Sequence, residues 1–185
     1  FSTRHVLVRA SSAVSTELSS PAVEEILYLS PKDIGGAILA GELNLDDTLK
    51  LLWDQRRKEK GVFVYSIDDF MVRQAGRYHL FLMPEGRKQY NSEKEARRAR
   101  NEKPVMNFNT YYPECQRSRL VDFDLDGFHL AIDVNRFLFV PYHMVILLEP
   151  EKNYPQLLTP QTINAALTIL ELGQDERLKI LFNPL

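Results

Sequence analysis

Apolar residues first fall into a clear helical period at Leu45, Leu49, Leu52 and Trp53, which share one side of a 3.6-residue repeat. Asn44 precedes them as a capping residue, Asp46 and Asp47 occupy the first turn, and Arg56, Arg57, Lys58 and Lys60 the last. That charge order suits the helix dipole, and Gly61 is the expected stop. Two brief helices are expected upstream, where Ser20-Pro21 and Ser30-Pro31 each set a capping hydroxyl before a proline at the first helical position. Gly35 and Gly36 weaken the second, at about 1 kcal/mol each relative to alanine.

After Gly61 the period shortens. Val62–Ile67, Phe70–Gln74 and Tyr78–Met83 are rich in aromatic and branched residues, and Ala75-Gly76 between the last two predicts a hairpin. Ser92 and Glu95 form a capping box for a helix reaching about Glu102, whose apolar residues are Ala96 and Ala99 alone; such a helix belongs on the surface or against a partner. Strand patterns return over Leu120–Asp124, Phe128–Val134 and His143–Glu149, as consecutive antiparallel strands. Thr159 and Pro160 then open a helix in which Ile163, Ala166, Leu167 and Leu170 share a face, Gly173 closes it, and Leu178–Phe182 reads as a final strand. The order predicts an α+β fold, an antiparallel sheet with flanking helices. One domain is expected over 20–185, with the short helices of 20–43 as an N-terminal extension, and there is no internal repeat or long linker.

A chain of 185 residues, 44% hydrophobic and 26% charged, suffices for one sizeable core. The net charge of -2 argues against a protein devoted to neutralising nucleic-acid phosphates. The longest apolar stretch, Phe137–Leu148, is broken by Pro141 and His143 and falls far short of the ~20 residues a membrane helix needs. Cys115 has no second cysteine with which to make a disulfide or a zinc site. Residues 1–19 read as a flexible segment: Phe1–Thr16 carry Arg4, Arg9, many small hydroxyl residues and no acid before Glu17. This is the composition of an organelle transit segment, mitochondrial or plastid, or of an ordinary polar tail.

Asp122, Asp124, Asp126 and Gly127, with Asp133 in the twelfth place, resemble the start of a calcium-binding EF-hand loop. The flanks alternate as strands do and not as helices, so an Asp-Gly turn between two strands is the preferred reading, and no metal is expected. Arg87, Lys88, Lys94, Arg97, Arg98, Arg100 and Lys103 form a basic run diluted by Glu93, Glu95 and Glu102. A solvated helix with intrahelical charge pairs explains it most simply; the alternatives are a track for a nucleic-acid phosphate backbone and a surface for an acidic partner, with Arg97, Arg98, Arg100 and Lys103 as candidate partner contacts. His5, His79, His129 and His143 lie too far apart in sequence for a local metal or nucleophile motif. Gly-rich phosphate loops and the Gly-x-Ser-x-Gly elbow are absent.

The stretch Phe128–Asn135, followed by Pro141-x-His143 and an apolar run to Pro150, resembles the paired central strands of the histidine-triad superfamily. There a strand ends at Asn, a short loop reaches Pro-x-His, and a second strand runs to a proline. Thr159-Pro160 opens a helix as in the diadenosine-tetraphosphate phosphorylase and GDP-galactose phosphorylase branches. The resemblance extends over roughly 44–185 in order of elements, with its specificity in 128–160. It implies a HIT-like sheet cradling a nucleoside phosphate, with Asn135, Arg136 and His143 as candidate nucleotide-binding residues. His143 matches an earlier, non-nucleophilic histidine of the pattern. Cys115 stands near a position where several relatives place paired cysteines for zinc.

In that family a later His-x-His-x-His segment supplies the nucleophile that attacks phosphorus. It would follow a strand ending near Asn183, and the sequence given runs to Leu185. The expectation is therefore a non-catalytic accessory or structural subunit of a larger organellar assembly, built on a degenerate or truncated HIT-like fold. It would need no cofactor, would have other protein subunits as partners, and would take a nucleoside phosphate as candidate ligand. The alternatives are the N-terminal part of an active enzyme acting on nucleoside diphosphate sugars or dinucleoside polyphosphates, with its histidines beyond Leu185, and a nucleotide-binding regulatory module without turnover.

Overall fold

The computed structural model describes residues 25–63, 71–76, 78–82, 92, 95–96, 99–100, 117–125, 127–138, 140–152 and 157–182. Expectations for the N-terminal segment, Cys115, Ile67, Arg97, Arg98 and Lys103 fall outside them.

Helix α1 spans Pro31–Leu39 and α2 Leu45–Arg57; both begin as their sequences require. The hydroxyl of Ser30 accepts from the N–H of Asp33, and the side-chain oxygen of Asn44 from that of Asp47, each satisfying a donor the first helical turn cannot use. Gly61 is not the end of α2. Lys58 is the C-cap, and Gly61, at φ +82°, turns the chain three residues later. Val62 and Phe63 follow in that turn and not in the strand expected there.

Strands β1 (Met71–Ala75) and β2 (Tyr78–Leu82) form the expected hairpin, paired from Met71 with Leu82 to Ala75 with Tyr78, and Gly76 turns it at φ +60°. The main sheet holds β3 (Arg119–Leu125), β4 (Phe128–Val134) and β5 (Met144–Leu148), antiparallel and in sequence order. Leu125 faces Phe128 across the β3–β4 turn, where Gly127 has φ +81°. The Asp-rich stretch thus lies in a strand pair and not between two helices, and of the expected Asp-Gly turn Gly127 is described. A short 3-10 turn, Pro150–Lys152, follows β5, and α3 spans Pro160–Leu172 with a capping box between Thr159 and Thr162.

The architecture is α+β in two layers. The sheet presents Phe123, Leu130, Ile132, Val134 and Met144 to one buried cluster shared with Ile34 and Ile38 of α1, Leu49, Leu52 and Trp53 of α2, and Ile169 of α3. Trp53 packs its ring against Phe63 at 5.3 Å and Tyr142 at 4.8 Å between centroids, tilted by 52° in each case. Ala131, Val145 and Leu147 point to the opposite face and form a second, smaller buried cluster.

Helix α3 differs from its expected packing. Ile163, Leu167 and Leu170 are exposed, whereas Ile169 is buried and Ala165 and Leu172 pack against the core. Gly173 ends the helix as expected. Leu178–Phe182 form no strand: Leu178 is buried and Ile180 half-buried, but the segment joins neither sheet. The chain after α3 is held instead by Asp46, whose carboxylate accepts from the N–H groups of Gln174 at 2.6 Å and Asp175 at 2.9 Å.

Candidate functional site

The connection between β4 and β5 is where the resemblance placed its ligand-contacting residues, and its backbone is closed on itself. The N–H of Asn135 donates to the carbonyl of His143 at 3.0 Å, extending the β4–β5 ladder by one pair. The side chains meet as well, with Asn135 Nδ2 3.2 Å from His143 Nε2, while Asn135 Oδ1 accepts from the N–H of Phe137 at 2.8 Å. His143 is 0% exposed and Asn135 4%. Since Nδ2 of an amide can only donate, Nε2 of His143 acts as acceptor and the ring is neutral there. Arg136 reaches back to the turn after α2, donating from Nε to the carbonyl of Val62 at 3.1 Å and from Nη2 to that of Gly61 at 3.3 Å.

Tyr142 completes this clamp. Its hydroxyl donates to Asp54 Oδ2 at 3.3 Å, and its backbone has φ 58°, a conformation bulky side chains avoid. Burial raises the carboxyl of Asp54, with Tyr142 pulling the other way. Burial also raises the Tyr142 phenol, and Asp54 adds to that rise. The three family-like positions are therefore brought together on one loop, in which Asn135 and His143 bond each other while Arg136 ties the loop to the turn after α2 and Tyr142 ties it to α2.

The opposite face of the sheet carries a charged network that sequence reading did not assemble. Between Arg119 and Val121 the β3 register shifts by one residue, so Arg119 pairs with Asp133 and Val121 with Ile132. The shift places the Arg119 guanidinium on the side away from the core. Its Nε donates to Asp133 Oδ1 at 2.5 Å and its Nη1 to Asp122 Oδ1. Burial lifts the Asp133 carboxyl to about 6 even against the attraction of Arg119. For Arg119 burial acts downward, but the two carboxylates outweigh it and hold the guanidinium above its ordinary value. His129, next along β4 on this face, has Nε2 2.9 Å from Asp122 Oδ1 and Nδ1 2.9 Å from Glu151 Oε2. The signal for this cluster lay in the alternation of His129, Ala131 and Asp133 along one strand, but only the register shows which β3 residues meet them.

A cleft of about 240 Å³ lies between the strand ends and α3, with Leu125, Phe128, Leu130 and Leu148 on one side and Gln161 and Asn164 on the other. Beside it the exposed apolar surface of α3 continues through Leu157 and Leu158, which are 58% and 59% exposed, and Leu181 and Phe182 are exposed too. Among the described residues no group of three or more His, Cys, Asp or Glu side chains is arranged to hold a metal ion. Nor is any described helix long and apolar enough to cross a membrane. Of the candidate partner-binding residues, Arg100 is described: it is exposed, and its N–H donates to the carbonyl of Ala96 at 3.1 Å. The side chain of His79 lies outside the described set. Comparison of the chain with protein-family models, with curated proteins and with solved structures finds no match.

Proposed function

We propose that this chain supplies the nucleotide-cradling sheet of a HIT-like protein of the nucleotidyltransferase and phosphorylase group, and that its described residues act as scaffold and ligand cradle rather than as attacking groups. The observation that carries this reading is the β4–β5 unit, in which Asn135 ends one strand and is bonded to His143 at the head of the next. That is the order and spacing which the resemblance requires. A phosphorus-attacking histidine must reach its substrate. His143 is buried, and His129 is held between two carboxylates, so neither suits that role. The chain then works as an accessory or structural part of a larger assembly, with a nucleoside phosphate as ligand.

A second reading is favoured by the exposed apolar surface of α3 together with Leu181 and Phe182. Apolar areas of this kind are usually covered. A further strand bearing a His-x-His-x-His segment would cover them in an active enzyme on nucleoside diphosphate sugars or dinucleoside polyphosphates. One experiment addresses both readings: thermal unfolding of the chain with a GDP-hexose or a dinucleoside tetraphosphate, alongside a phosphorolysis assay of the product of the whole gene. Stabilisation by about 2.7 kcal/mol at a hundredfold excess over Kd without turnover supports the scaffold reading. Turnover supports the second. No shift with any nucleotide and no turnover removes the nucleotide assignment.

A further inference from the structure

His129 joins three elements through one ring. Asp122 belongs to β3, His129 to β4, and Glu151 to the turn Pro150–Lys152, and both ring nitrogens lie 2.9 Å from a carboxylate oxygen. A neutral imidazole has one N–H and one lone pair. It bonds one carboxylate and turns a lone pair toward the other, so the bridge opens at one end whichever nitrogen keeps the proton. An imidazolium donates to both.

The surrounding charges favour that doubly bonded form. From β3 come Asp122, shared with Arg119, and Asp124, which lies 4.0 Å from Lys32 on α1. From β4 comes Asp133, bound to Arg119. The end of β5 and the turn contribute Glu149, paired with Lys152, and Glu151 itself. We propose that His129 is a proton-operated latch that fastens the Pro150–Lys152 turn to the sheet, closed when the ring is protonated and open at one end when it is not.

Burial pulls the His129 ring down, but its bonds to Asp122 and Glu151 outweigh this and leave it above its ordinary 6.5. A histidine raised in the folded state contributes stability fully below its unfolded value and loses it as pH rises through the folded one. The latch is therefore closed in mildly acidic solution and opens on the alkaline side. The turn stands in the chain between Leu148, on one wall of the cleft, and Pro160 and Gln161 on the other. Opening releases the Pro150–Lys152 turn from the His129 ring beside the Leu148 wall of the cleft.

Amide hydrogen exchange at Glu151 and Lys152, corrected for intrinsic rates, tests this at about pH 5.5 and about pH 8.5. The expected result is protection about tenfold lower at the higher pH in the wild type, and low, pH-independent protection in His129→Gln and Glu151→Gln. In Glu151→Gln, which keeps the His129–Asp122 contact and so serves if His129→Gln fails to fold, the His129 ring should titrate at lower pH by NMR. Equal protection at both pH values in the wild type, or an unchanged His129 titration in Glu151→Gln, overturns the latch.

Discussion

Gly35 of α1 stands so close to Asp122 of β3 that a Cβ added to it would lie 1.9 Å from the Asp122 carbonyl oxygen. The obstacle is backbone, which cannot swing aside as a side-chain tip can. Gly36, one residue on, would meet nothing within 4 Å. These neighbouring glycines therefore respond oppositely to the same change. Gly35→Ala gains about 1 kcal/mol of helix propensity but forces α1 off the sheet, for a net loss of about 2 kcal/mol or more. Gly36→Ala keeps the propensity gain, about 0.5–1 kcal/mol. Urea denaturation of both variants reads the two signs directly, and equal effects would contradict the packing described.

The Arg119–Asp133 pair gives a pH-dependent expectation. Asp133 titrates at about 6 in the folded chain against 3.8 for the free group, so the folded state binds its proton more tightly and stability from this site declines as pH rises from about 4 to about 6. Arg119→Met removes the charge that limits that decline and leaves a buried carboxylate unpaired, at a cost of about 3 kcal/mol near pH 7. Near pH 4 Asp133 is protonated in both proteins and most of the difference should vanish. Denaturation midpoints across this range check it; a deficit constant with pH would point to lost packing instead.

On α3, Ile169→Ala should cost about 2–4 kcal/mol, because Ile169 is buried. Leu167→Gln should change the stability of the isolated chain by less than about 0.5 kcal/mol, Leu167 being 51% exposed. Thermal or chemical unfolding compares them. The reverse ranking would restore the face expected from sequence.

The helix starts were legible because each rests on a local rule: Ser30 before Pro31, Asn44 before Asp46 and Asp47, and Thr159 before Pro160. The β1–β2 hairpin and the three strands of the main sheet were likewise marked by turn glycines and by changes of period. The inward side of α3 was not, because its apolar residues form two overlapping stripes and only the core shared with the other helices and the sheet selects Ile169 over Leu167. Leu178–Phe182 carry a strand-like pattern, but a strand also needs a partner ladder, which no local signal supplies. The charged cluster was half legible for a related reason: His129 and Asp133 alternate on β4, but Arg119 reaches Asp133 through a one-residue register shift, and a shift of that kind leaves no trace in alternation.

The two N–H bonds to the Asp46 carboxylate span 128 and 129 residues. During synthesis at about 5–20 residues per second, α2 therefore leaves the ribosome many seconds before the groups that anchor its first turn exist. The Asn44 cap can hold the nascent helix locally in that interval, while its apolar side, Trp53 included, waits for the sheet. This unit should consequently close late and all at once, and a nick anywhere between α2 and α3 should leave two pieces that hold together only by reassociating.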